Sequence, residues 1–163
     1  MKPILTTLAV LAALAVAVPV SAQNAGQIAR VRAGSSCSSC NLFQGNFSGL
    51  EASGLNLAGA RLRQSDFSVA VMNRTRFSNA DLRDVEAYGG VFSSSSFSGA
   101  NLTNANFVGA YLDGANFSGA TLTGVNLSGA TLLRATGLSQ ARLNQACGDE
   151  TTRLPRGMTI PQC

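Results

Sequence analysis

The sequence predicts an all-β fold, a parallel β-helix of square cross-section, and three observations lead to it. A large apolar residue stands at seventeen of the nineteen positions that recur every five residues from Leu42 to Leu132, a period matching neither an α-helix nor a flat strand. Ten of the positions two residues after these centres are glycine, including Gly49, Gly99, Gly109 and Gly119, as a chain turning a corner at every repeat requires. No proline occurs between Pro19 and Pro155, so no backbone donor is missing from the intervening ladder. Four corners close a square, which gives twenty residues per coil, about five coils, and a rise of about 4.8 Å between stacked rungs.

The chain opens on a segment that reads as an address. Met1-Lys2 precedes an apolar run from Pro3 to Val20, and Val20-Ser21-Ala22 offers small residues at the −3 and −1 positions. This pattern predicts a secretory signal peptide over 1–22, cleaved after Ala22. No later stretch has spanning length, so no membrane span is expected after cleavage, and the mature protein is expected to be periplasmic or secreted. Lys2 is the only lysine; its loss leaves eleven arginines against eight acids, a formal +3. So mild a charge does not predict a nucleic-acid partner.

Residues 23–39 are expected to cap the amino-terminal end, and the repeats then run over 40–134. The residue two before each centre is mostly small, as at Ala60, Ala70, Ala80, Ala100 and Ala110, and asparagine or aspartate often stands between. Folding the sequence at twenty places Leu42, Leu62, Leu82, Leu102 and Leu122 in one inward column, and Leu57, Phe77, Phe97 and Phe117 in another. Where a centre shrinks to Ala52 or Ala87, its inward partner grows to Leu50 or Val85, as a close-packed core requires. Leu50, Ala52 and Leu55 are accordingly read as core.

Ala100-Asn101-Leu102-Thr103-Asn104, Ala105-Asn106-Phe107-Val108-Gly109 and Ala115-Asn116-Phe117-Ser118-Gly119 resemble the pentapeptide-repeat family, whose motif is Ala-(Asp/Asn)-Leu-X-X. The resemblance covers Cys40 to Arg134. It implies a right-handed quadrilateral β-helix with the central residue and its small partner pointing inward. Some members of that family mimic DNA and modulate gyrase through strongly acidic surfaces. This mildly basic chain shares the motif without that charge, so gyrase modulation is the less favoured reading.

After Leu132 the register fails at Gly137, and 135–163 is expected to form a carboxy-terminal cap. Leu138–Cys147 reads as a short helix, with Ser139 as N-cap and Leu138 and Leu143 as a hydrophobic staple. The four cysteines, Cys37, Cys40, Cys147 and Cys163, lie at the mouth of the stack or beyond it. In an oxidising compartment an even count argues for disulfides, of which four cysteines allow three connectivities; Cys147–Cys163 with Cys37–Cys40 is favoured. The competing reading of Cys37-Ser38-Ser39-Cys40 is a redox pair or half a metal site. No histidine and no second close cysteine pair would complete a zinc site, so no metal and no cofactor are expected.

Catalytic residues are not expected either. Histidine, the commonest general acid–base, is absent, and no nucleophile–base pairing or phosphate loop is present. The carboxylates Asp81, Asp84 and Glu86 are read as partners of neighbouring arginines. Two surface features remain. Val69, Val71, Tyr88, Val91, Val108 and Tyr111 fold onto one corner and predict an apolar, aromatic patch suited to a protein partner, on a surface otherwise of Ser, Thr and Asn. Arg61, Arg63, Arg74, Arg76 and Arg83 crowd into 23 residues and form a candidate anion site for an acidic envelope glycan. A solvated salt-bridge network is the plainer reading of the same arginines.

Overall fold

The computed structural model describes residues 23–163. The leader segment 1–22 and its expected cleavage site lie outside the described residues. Parallel bridges join residues twenty apart: Asn41, Arg61, Asp81, Asn101 and Thr121 form one column, and Val71, Val91, Tyr111 and Thr131 another. Each rung is held from both sides, as where Phe97 N donates to Asn116 O at 2.8 Å and Ser96 N donates to Thr75 O at 2.9 Å. Each side of the coil is too short for more than one bridge. The sheet therefore grows along the stack and not along the chain, giving a parallel β-helix.

The corners explain the period. The small inward residue donates its N–H to the carbonyl three residues back, as Ala100 does to Phe97 at 2.9 Å, and this closes a turn at most repeats. The residue at the bend adopts positive φ, 69° at Gly99, a conformation that glycine reaches without steric cost. The same conformation is imposed on Gln44, Gln64, Val69, Arg74, Asn79, Asp84, Ser94 and Asn104. Tertiary stacking overrides local preference at those eight corners.

Inside, all the centres but the half-buried Ala52 are buried, and no pocket opens among the described residues. Phe77, Phe97 and Phe117 stack face to face at 5.2 Å per step. Phe92 and Phe107 meet Phe97 edge-on across the lumen at 6.0 and 5.9 Å. Volume complementarity also runs in the direction opposite to Ala52 and Ala87: a Cβ on Gly45 or Gly90 would lie 2.5 Å from the ring of Phe47 or Phe92. Leu55 is buried, while Leu50 and Ala52 are half-buried against the core. Polar side chains also enter the core. Ser65 Oγ donates to Leu42 O at 2.8 Å and Ser95 Oγ to Met72 O at 2.9 Å, so each hydroxyl satisfies a carbonyl of the preceding coil.

Both ends are covered. Helix α1, Ala25–Arg32, was not foreseen as a helix, although Asn24 and Gln27 stand at N-cap and N3. Asn24 Oδ1 accepts from Gln27 N at 3.0 Å, Gln27 Oε1 accepts from Asn41 N at 2.7 Å, and Val31 is fully buried. Arg32 also donates to the carbonyl of Asn46. The hydrogen-bond ladder already includes Cys37, whose N donates to Asn56 O, and a disulfide joins Cys37 to Cys40 with the Cα atoms 5.5 Å apart.

At the other end, helix α2 spans Gln140–Leu143 and is shorter than the expected Leu138–Cys147. It stops because the chain rejoins the ladder: Gly124 N donates to Gln145 O and Leu127 N to Cys147 O, so Cys147 pairs with Asn126. Ser139 holds the N-cap position without a side-chain cap bond; Arg142 Nε donates to its hydroxyl at 3.3 Å. Arg142 Nη1 reaches Phe117 O at 2.7 Å, and Leu143 is fully buried. A second disulfide links Cys147 to Cys163.

Candidate interaction surface

Five residues per side and twenty per coil decide which outward residues meet. Val71, Val91 and Tyr111 form one bridged column. Around the corner, Val69 N donates to Tyr88 O and Gly89 N to Val108 O, both at 2.8 Å, which fixes Tyr88 and Val108 in a second column one coil apart. All six residues of the expected patch therefore share one convex edge. Val69, Tyr88 and Tyr111 are each 55% exposed, whereas Val71, Val91 and Val108 are half-buried between their neighbours. The sequence reading missed Leu133, 50% exposed, two residues beyond Thr131 in the column above Tyr111. Folding at twenty would have found it, stacked over Asp113 and Ser93.

Val69 is the least comfortable residue of the surface. It is β-branched, it sits at φ 51°, and ten of the equivalent corners carry glycine. Val69→Gly is expected to raise the unfolding free energy by about 1 kcal/mol, the left-handed penalty less the entropy of glycine. Urea unfolding reads this directly, and a loss of stability would show that Val69 contributes packing that outweighs its strain.

The arginines do not form one cluster. Arg61, Arg63 and Arg83 share a side, with Arg61 bridged to Asp81. Arg76 bridges Asn56 and Ser96 on a different side, and Arg74 stands at the corner just before it. Arg83 forks onto Asp81, with Nε–Oδ1 and Nη2–Oδ2 both 2.7 Å, and Arg63 Nε reaches Asp84 Oδ2 at 3.1 Å. The hydrogen bond from Arg83 holds the Asp81 carboxyl below its ordinary value, and hydrogen bonds from Asn104 and then Arg63 do the same for Asp84. Depressed folded values stabilise the fold above the unfolded pKa near 3.8, and that stability is lost as pH falls through the folded values. Asp81→Asn should therefore flatten the acid limb of the stability–pH curve and leave its slope at neutral pH unchanged, which denaturant titration at successive pH values checks.

Glu86 corrects the sequence reading. Among the described residues it has no arginine partner; Asn106 Nδ2 donates to its Oε1 at 2.6 Å. Residue 86 lies one corner beyond the side that carries Arg63 and Arg83, and nearness in sequence did not translate into contact. It bridges Asp66 in the coil before, and Asp66 Oδ1 accepts from Ser68 N at 2.8 Å. Asp66 and Glu86 thus border the patch on the side of Tyr88.

Among the described residues no group of potential metal ligands gathers, and no helix is long and apolar enough to cross a membrane.

A family model described as pentapeptide repeats matches eight copies over residues 53–86 and 95–134. Among solved structures the chain is similar to a pentapeptide-repeat protein of the Arabidopsis thaliana thylakoid lumen, at 29% identity over 67% of this chain and 58% of that one, TM-score 0.37. It is also similar to the pentapeptide-repeat protein Rfr23 of the cyanobacterium Cyanothece 51142, at 27% identity over 64% of each chain, TM-score 0.29. A third is QnrB1, a plasmid-mediated fluoroquinolone resistance protein, at 17% identity over 78% of this chain and 86% of that one, TM-score 0.37. The chain thus spans less than two thirds of the first two structures. No curated protein matches it.

Proposed function

Because the chain belongs to the pentapeptide-repeat family, and so to its right-handed β-helical solenoids, we propose that it is an exported, non-catalytic module of the cell envelope that holds a protein partner on a rigid surface. The domain limits that go with this reading are a leader over 1–22, an amino-terminal cap over 23–39, the solenoid over 40–134 and a cap and tail over 135–163. Export rests on the leader-like composition of the first segment, and two disulfides suit an oxidising compartment. The observation that carries the interaction role is the exposure of Tyr88, Tyr111 and Val69 together on one edge, where the surrounding surface is polar. Exposed tyrosines supply large contact area at small entropic cost. A lumen filled by side chains gives little support to a small-molecule carrier.

Tyr88→Ser combined with Tyr111→Ser is expected to abolish recovery of the partner from the native envelope fraction and to leave the unfolding curve unchanged, since neither ring is in the core. Equal recovery by the variant and the parent protein would overturn this role. The alternative, an anionic envelope glycan bound by the arginines, has less support. Arg63 and Arg83 are already engaged by carboxylates, and Arg76 lies on another side.

A further inference from the structure

We propose that the side carrying Tyr88 and Val108 docks an arginine-bearing, otherwise apolar segment of the partner protein, with Asp66 and Glu86 receiving the guanidinium groups. The proposal rests on the interaction role above and adds the partner's chemistry.

Three observations lead to it. The first is uncompensated charge. Asp66 and Glu86 stand on successive rungs of one column, about 4.8 Å apart, where like charges destabilise a ladder. Among the described residues neither carboxylate has an ion pair, whereas Asp81, Asp84 and Asp113 each have an arginine. The bonds from Asn106 and Ser68 hold both carboxylates in place without neutralising them.

The second is what stands beside that charge. Glu86 and Tyr88 occupy the two outward positions of the same short side, and Val108 lies one coil above Tyr88. A guanidinium suits this pairing because its flat face stacks on a tyrosine ring while its edge forks onto a carboxylate. Lysine's ammonium is a point charge without the flat face and the fork, so it meets ring and carboxylate together less well. The apolar residues of the segment would cover Val69 and Val108.

The third is size. From Val71 to Tyr111 the patch rises two rungs, about 10 Å, and a stable interface between two folded copies buries about 1,200 Å² or more. An edge this short fits a slender segment better than a second copy of this solenoid.

The test uses the whole protein and two synthetic peptides, acetyl-Leu-Arg-Val-Arg-Leu-amide and the same peptide with citrulline at both arginine positions, a swap that keeps the shape and removes the charge. Binding is followed by the shifts of the Tyr88 and Glu86 amide resonances. The arginine peptide is expected to bind about tenfold more tightly than the citrulline peptide at low salt. Asp66→Asn with Glu86→Gln is expected to erase that difference, and Tyr88→Ser to weaken both peptides. Equal affinity for the two peptides, an arginine preference that survives in the Asp66→Asn, Glu86→Gln protein, or no binding of either would overturn the inference. If the two peptides bind equally and Tyr88→Ser with Tyr111→Ser abolishes both, the charge assignment fails and the interaction surface stands. Binding that the tyrosine substitutions leave untouched would sink both.

Discussion

Phe97→Ala is expected to lower the unfolding free energy by about 3–5 kcal/mol, the range for deleting a fully buried aromatic side chain. Phe97 is 1% exposed and sits in the middle of the stack, at 5.2 Å from both Phe77 and Phe117, with Phe92 and Phe107 edge-on. Removing the ring therefore strips contacts from three successive coils at once. The backbone cannot close the gap, because each coil is held at fixed height by the hydrogen bonds of its rungs. Equilibrium denaturation of the variant beside the exposed control Ser118→Ala, expected within about 0.5 kcal/mol of the parent, measures the difference. A loss below about 1 kcal/mol would mean that the lumen repacks, contrary to a core of fixed layers.

The second large effect belongs to the carboxy-terminal tail. Cys147 and Cys163 are sixteen residues apart, and a crosslink closing such a loop contributes about 3 kcal/mol in the chain-entropy model. Cys147→Ser with Cys163→Ser is expected to cost that much. It should first release the tail, where Gly148 and Cys163 exchange backbone hydrogen bonds with residues across the loop. Amide exchange should then quicken at Gly148 and Cys163 before it quickens at Leu102. Removing the three-residue link between Cys37 and Cys40 should have a smaller effect, because it closes a much shorter loop. Uniform acceleration through the solenoid would show that the tail and the coils unfold as one unit.

The solenoid was legible because its physics is periodic. Once a corner falls every five residues, Leu102 must lie inside and Asn104 at a bend, and no long-range guess is needed. The aromatic column of Phe77, Phe97 and Phe117 follows from the same arithmetic. The features that escaped are those where periodicity gives no instruction. The amino-terminal helix carries its signal in Asn24 and Gln27, which a search for five-residue repeats passes over. Ser65 and Ser95, by contrast, fall at the inward position by the same count, two before Phe67 and Phe97, and each hydroxyl finds a carbonyl one coil back.

Glu86 shows the opposite failure. It lies three residues after Arg83, but a corner stands between them, and the chain direction matters more than the separation. The patch itself was legible as a set of six residues on one edge. The charge beside it was not, since the absence of a counter-ion becomes visible only when the side chains are placed.

Whether the edge carrying Tyr88 and Tyr111 holds a partner is read by photo-crosslinking in the native envelope from a benzoylphenylalanine placed at position 88, at 111, or at the exposed control position 118 on another side. A discrete protein adduct is expected from positions 88 and 111 and none from 118. Adducts of the same pattern and yield from all three positions, or none from 88 and 111, would contradict it.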